Sequence, residues 1–362
     1  MLVKKTIVQL NQPFATENGF VFTRPEVAYE QYGNPDGPVI LLCHGGLSSC
    51  HAAGKYAETD PQPGWWDGLI GPGKPFDTGR YRIISMNALG SMHGSTGTTS
   101  IDPSTGCRFG PTFPRITLRD QVRFVKAFID RMEISQVHIM AGPSMGSLHT
   151  LQMAAMYPDT INAAVSAATA GRMPASGMAM HHFIINALRS DPAFHGGWYD
   201  PQQPLLAMKL IWQVIRLYYT SDKIYKKACF DAFPHEPGAQ AKRAAAAGAF
   251  LTAGMDIGIT MYDPNAFITV VDAINTHDLG EGFATYEEGV RRLRCPLLLL
   301  NVDTDHEFPP DCAHEIAEII NAARPGQVTE HVLQSSWGHL GCVRESEQLK
   351  LHIGEWMTAH GL

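Results

Sequence analysis

The sequence predicts an α/β fold: a mostly parallel, doubly wound sheet with a block of helices inserted late in the chain. Three observations carry this. Short, wholly apolar runs such as Val39 to Cys43 and Leu297 to Leu300 read as strands covered on both faces, which is the pattern of parallel sheets. Helical periodicity follows several of them, giving the strand, helix, strand order of parallel α/β units. Between about Gly171 and Arg291 the strand-like runs stop, and segments rich in Met and Ala take over. The expected organisation is a core of residues 1–170 and 292–362 with a helical lid at 171–291.

The stretch Val137 to Pro158 organises the rest. Val137 to Ala141 is a short apolar run, Gly142-Pro143-Ser144-Met145-Gly146 follows, and Leu148, Leu151, Ala155 and Met156 then recur at helical spacing. The spacing predicts strand, sharp turn, helix. A G-x-S-x-G pentapeptide is weak by itself in a chain with 34 glycines. Placed on a strand-to-helix turn it gains weight, because the glycines let the backbone bend tightly and leave the serine exposed at the tip. Ser144 is therefore the candidate nucleophile, a structural turn serine being the plainer alternative.

The other elements are read in order. Val21, Val27, Tyr29 and Tyr32 mark strand character before the turn Gly33-Asn34-Pro35-Asp36-Gly37. The strand Val39 to Cys43 ends in His44-Gly45-Gly46-Leu47, a loop able to supply a second backbone N–H to an oxyanion beside that of the residue after the serine. Gly46 and Met145 are the candidates. Cys50 to Pro114 is a long Gly-, Pro-, Ser- and Thr-rich stretch broken by one strand, Tyr81 to Asn87, and its paired Trp65 and Trp66 are expected to pack as a wall over the sheet. Thr117 to Met132 reads as an amphipathic helix with Thr117 and Asp120 in a capping box. A strand near Ala163 to Ala168 precedes the helical stretch, whose Met, Ile and Phe residues are expected to line an apolar acyl pocket. The chain closes with a strand over Cys295 to Asn301, a helix around Ile316 to Ile320, a strand Val328 to Leu333, the loop Ser335 to Gly341 and a helix through Leu349, Ile353 and Trp356.

A serine hydroxyl needs a base, and the base an orienting acid. Loops at the carboxyl ends of two strands beyond Ser144 supply them: Asp303 and Asp305 after one, His339 after the other. The order Ser, Asp, His is that of α/β-hydrolases. Among sixteen histidines His339 stands out by its place between Gly338 and Gly341 in the loop after the last strand. No histidine pair has metal spacing and H-E-x-x-H is absent, so no metal and no cofactor are expected.

Bulk properties narrow the partners. The 362 residues are 44% hydrophobic and 17% charged with a net charge of −7, and no basic run suggests nucleic acid or an anionic membrane. The N-terminus lacks a signal-like apolar segment and no apolar run is long enough to span a bilayer. Seven scattered cysteines without C-x-x-C spacing fit a reduced, cytoplasmic protein. The expected ligand is a small molecule.

Over nearly its whole length the chain resembles the homoserine O-acetyltransferase family of α/β-hydrolases. The likeness rests on Pro63 to Gly73, Gly94-Ser95-Thr96-Gly97, Ser144-Met145-Gly146, Asp191-Pro192-Ala193-Phe194, Asp305 with Phe308-Pro309-Pro310, and Gly338-His339. The resemblance implies Ser144 as nucleophile, His339 as base, Asp305 and not Asp303 as acid, a helical lid, and a homodimer through lid helices. The chain also departs from the family. Where members carry an aspartate after the catalytic histidine to hold a substrate ammonium, it has Leu340. Where they carry a carboxylate-binding arginine in an aromatic-Arg-Ser stretch of the lid, it reads Tyr218-Tyr219-Thr220-Ser221. His181, His182 and Ile185 stand where their first lid helix is polar. Leu47, Leu340 and His181 are the candidate pocket residues. Burying either charge of an amino acid without a partner costs several kcal/mol, so the sequence reading favours rejection of homoserine. It points to the branch that hydrolyses acetate esters, a serine esterase acting on small neutral alcohols. The alternatives are an acetyl-CoA-dependent O-acetyltransferase, which would share every catalytic residue, and a catalytically silent binding protein.

Overall fold

The computed structural model describes residues 1–203, 205–235, 237–255 and 262–362. Its centre is an eight-stranded sheet in the order β1-β4-β6-β5-β7-β8-β9-β10, with a small ribbon of β2 and β3 beside it. The strands are β1 Thr6–Gln9, β2 Phe14–Ala15, β3 Val21–Phe22, β4 Glu26–Gly33, β5 Val39–Cys43, β6 Arg82–Met86, β7 Val137–Pro143, β8 Ala164–Ala167, β9 Leu297–Val302 and β10 Val328–Leu333. β1 and β4 run antiparallel at one edge, and the six strands from β6 to β10 are parallel.

The apolar runs behave as two-sided strands. In β5, Leu41 and Cys43 belong to the core on one face, and Ile40 and Leu42 to that on the other. In β9, Leu297 and Leu299 point one way and Leu298, Leu300 and Val302 the other. Both faces are dry, so alternation disappears. β1 was not legible: Thr6 to Gln9 is exposed or half-buried along its length, and an edge strand pairing with β4 through its backbone needs no apolar pattern.

Helix α1, Leu118–Arg131, begins with the expected capping box. The Asp120 amide donates to Thr117 Oγ1 at 3.0 Å, and the Thr117 amide donates to Asp120 Oδ2 at 3.1 Å. Helix α2, Met145–Met156, is buried on almost every side, because it sits between β7, β8 and α1. A stripe of apolar positions therefore understates it.

The bend from β7 into α2 depends on the lack of side chains at Gly142 and Gly146. A Cβ on Gly146 would stand 2.0 Å from the Cys43 carbonyl oxygen, and one on Gly142 2.4 Å from the same atom. Overpacking against backbone cannot be relieved by a rotamer change. Gly146→Ala is expected to destabilise the protein by about 3 kcal/mol or more, read as a lower urea midpoint with an unchanged slope.

Between β8 and β9 the described residues form helices, turns and one isolated bridge, Arg172 to Asp278. Helix α3, Ala175–Ser190, and helix α4, Leu206–Tyr219, pack with the helix Pro264–Ile274 around Ile184, Leu188, Met208, Ile211, Phe267 and Val271. This cluster is separate from the two cores flanking the sheet, and it roofs the carboxyl ends of the strands. None of the helices among the described residues is long and apolar enough to cross a membrane. All seven cysteines are unbridged.

Candidate active site

Ser144 sits at the tip of the β7–α2 turn with φ 54° and ψ −126°, a strained conformation for a residue with a Cβ. Its side chain faces the loop after β5: a Cβ on Gly45 would stand 3.6 Å from Ser144 Cβ. Gly46 lines the same cleft as Ser144, and Met145 opens α2 with its N–H at the positive end of the helix. No hydrogen bond occupies either N–H among the described residues.

His339 comes from the loop after β10 and Asp305 from the loop after β9, two strands paired in register over their whole length. His339 Nε2 lies 2.8 Å from Ser144 Oγ, and Nδ1 lies 2.8 Å from Asp305 Oδ2. The other carboxylate oxygen of Asp305 accepts the Glu307 and Phe308 amides at 2.8 and 3.1 Å, so its orientation is fixed by its own loop. Asp303 is elsewhere: it pairs with Lys223 Nζ at 2.7 Å and accepts the Ser335 amide at 2.9 Å. Gly338, with φ 59°, lets this loop press against the end of α4, where a Cβ would meet the Tyr219 carbonyl oxygen at 2.7 Å.

A cleft of about 360 Å³ opens above the serine. Leu47, Leu340 and His181 all line it, as does Trp65, while Trp66 is buried with its indole N–H donating to the Cys342 carbonyl. Of the expected Met, Ile and Phe lining, Ile215, Phe267 and Ile274 are present together with Val270 and Val271, and no methionine among the described residues lines the cleft. Methionines such as Met173 and Met208 instead fill core space away from the cleft.

The larger correction concerns charge. Glu307 is 3% exposed and lines the cleft. Its Oε2 lies 3.3 Å from His339 Nε2, and its Oε1 lies 3.1 Å from His181 Nε2 and 3.4 Å from the Tyr219 hydroxyl. His181 Nδ1 is in turn 2.7 Å from Asn275 Oδ1. Arg216 and Arg344 also line the cleft. Neither is paired with a carboxylate among the described residues: Arg216 donates to the Ala253 carbonyl and covers Phe250, and Arg344 covers the ring of Trp337. Leu340 does replace one carboxylate, but the cleft holds a buried anion and two cations contributed by other positions. The expectation of a cavity too apolar for a charged substrate fails on these residues. Sequence reasoning passed over Glu307 although it stands two residues beyond Asp305 in the same loop, and that proximity was the available signal.

Burial alone would keep the His339 imidazole neutral. The Asp305 carboxylate first, and Glu307 after it, outweigh that penalty and push the imidazole up from 6.5 to about 9. Glu307 is held below the usual carboxylate range: burial opposes its charge, and His339 and His181 overcome it.

A serine on a tight strand-to-helix bend, hydrogen-bonded in series to a histidine and an aspartate on successive strand-end loops beneath a helical roof, is the arrangement of an α/β-hydrolase, and the α/β hydrolase fold profile matches residues 38–343. The chain is 32% identical to the homoserine O-acetyltransferase of Symbiobacterium thermophilum, over 90% of its own length and 87% of the relative's. The crystal structure of homoserine O-acetyltransferase from Bacillus anthracis superposes with a TM-score of 0.89 at 26% identity, covering 99% of this chain and 98% of that one. That of esterase E22 follows with a TM-score of 0.87 at 26% identity, covering 98% and 100%. The chain belongs to the homoserine O-acetyltransferase family of the α/β-hydrolases.

This kinship overturns the esterase reading of the sequence. Several curated relatives near 30% identity over most of this chain are homoserine O-acetyltransferases, and the charged cleft removes the argument from Leu340 on which hydrolysis of neutral esters rested.

Proposed function

We propose that the protein is an acetyl-CoA-dependent O-acetyltransferase acting on a small polar alcohol, with residues 171–291 as its lid. The observation that carries the reading is a charged cleft directly over a serine, histidine and aspartate in hydrogen-bonded series. The kinship with homoserine O-acetyltransferases supports it. Exposed Leu206, Leu210 and Leu217, spaced to share one side of α4, support pairing of two copies through the lid.

Ser144 Oγ attacks the thioester carbonyl as His339 Nε2 takes its proton. The Gly46 and Met145 N–H groups hold the negative oxygen of the tetrahedral intermediate. The C–S bond breaks, and the imidazolium returns the proton to the thiolate of coenzyme A. The acceptor hydroxyl then gives its proton to His339 and attacks the acetyl carbon. The bond to Ser144 breaks and the serine recovers the proton.

Mixing enzyme with acetyl-CoA alone is expected to release one equivalent of thiol and then stall, with turnover resuming on addition of an acceptor alcohol. Continuous thiol and acetate release without acceptor would refute the reading. The raised imidazole gives a second expectation. Only neutral His339 can act as base, so kcat/KM for the thioester should climb about tenfold per pH unit below neutrality and level off near pH 9, where His339 loses its proton. A pH–rate profile flat from pH 6 upward would contradict it.

A further inference from the structure

We propose a second binding site, distinct from the catalytic cleft, that takes a small aromatic monocarboxylate. It lies on the far side of the helix Pro264–Ile274, in a cavity of about 290 Å³, and Arg189 is the residue that holds the carboxylate there.

The two cavities share that helix as a wall. Phe267, Val270, Val271 and Ile274 line the cleft, whereas Asn265, Ile268, Thr269 and Asp272 line the second cavity. Each set has the spacing i, i+3, i+4, i+7, and the sets are offset by two positions, which puts them about 200° apart around the axis, on opposite faces. The rest of the second cavity is built by the loop Gly110 to Ile116 and by Phe194 and Gly196 after α3. Phe113, Ile116 and Phe194 are buried, and Asn265 Nδ2 donates to the Gly197 carbonyl at 2.9 Å. The floor is therefore largely apolar and already formed before a ligand arrives.

Charge selects the ligand. Arg115 Nε donates to Asp272 Oδ2 at 2.8 Å and its Nη2 to Oδ1 at 3.4 Å, so these two side chains neutralise each other. Arg189, in the last turn of α3, has no carboxylate partner among the described residues. Asp191, the acid nearest to it in sequence, spends Oδ1 on the Ala193 amide and Oδ2 on the Ala207 amide. One free guanidinium at the exposed rim of an apolar floor suits a single negative charge on the end of an apolar body. A phosphate monoester would bring a second charge with no partner. A cavity of about 150 Å³ takes a benzene ring, so this one has room for a ring with a short acid arm, and Phe113 and Phe194 supply aromatic contacts to it.

The test titrates the full-length protein, by calorimetry, with phenylacetate and with phenylacetamide, which share a shape and differ in charge. Wild type is expected to bind one phenylacetate per chain, and phenylacetamide about tenfold or more weakly. Arg189→Gln should bring the acid to the level of the amide, and Arg189→Lys should keep part of the preference. Arg189 is exposed, so neither replacement removes a contact that the fold uses. Ile268→Trp fills the cavity from the helix and should abolish binding of both compounds, and the Arg189 variants decide the matter if it fails to fold. The catalytic cleft also holds arginines, so Arg216→Gln is the control and should bind phenylacetate as wild type does. Binding unchanged in Arg189→Gln, retained in a folded Ile268→Trp, or lost in Arg216→Gln overturns the site. So does wild type that binds neither compound, or both equally. Acetyl transfer stands in every case.

Discussion

Replacing Ser144 by alanine is expected to cut thiol release from acetyl-CoA by a factor on the order of 10⁶ while leaving the protein folded. The size follows from covalency: without Oγ no acetyl-enzyme forms, and the remaining N–H groups and cleft can only orient reactants. The survival of the fold follows from the contacts. The Ser144 side chain bonds to His339 alone, whereas its carbonyl, which alanine keeps, accepts the Ser147 and Leu148 amides and starts α2. Circular dichroism and a thermal melt check the fold, and a fluorophosphonate probe should label wild type only. Turnover persisting above a hundredth of wild type would remove Ser144 from the mechanism.

Asp305→Asn should lower kcat by about 10⁴, and the geometry says why an isosteric change costs so much. The oxygen of the asparagine amide must stay toward the Glu307 and Phe308 amides that now donate to Asp305. Its NH₂ group then faces His339 Nδ1, which has to become the acceptor. The ring proton moves to Nε2 and points at Ser144, so the histidine can no longer receive the serine proton. Asp303→Asn is the control. It removes one exposed pairing with Lys223 and should leave kcat within about twofold. A large loss from Asp303→Asn with little from Asp305→Asn would reverse the assignment of the acid.

Much of this site was open to reading because it follows from strand ends. A parallel sheet delivers its loops to one edge; Ser144 and Asp305 each follow an apolar run, and His339 follows the mixed strand Val328–Leu333. The cleft above was not open in the same way. Its walls come from helices whose faces are set by mutual packing, and periodicity does not tell which side of α4 brings Arg216 inward while Leu206 and Leu210 turn to solvent. The error over Leu340 has the same origin. One aligned position was read as the electrostatics of a cavity, but a cavity sums over every residue that reaches it, and Glu307, inside the Asp305 to Pro310 stretch, and Arg344 reach it too.

Glu307 also joins two mechanically different halves of the molecule. Its backbone belongs to the loop after β9, tied to the sheet, and its carboxylate is gripped by His181 of α3 and Tyr219 of α4. Asp305 and His339 are spaced by the ladder between β9 and β10, and the loop of His339 also abuts the Tyr219 end of α4. A shift of either roof helix would move Glu307 relative to that pair and change the charge felt by the imidazole, so the enzyme's basicity is tied to the posture of its roof.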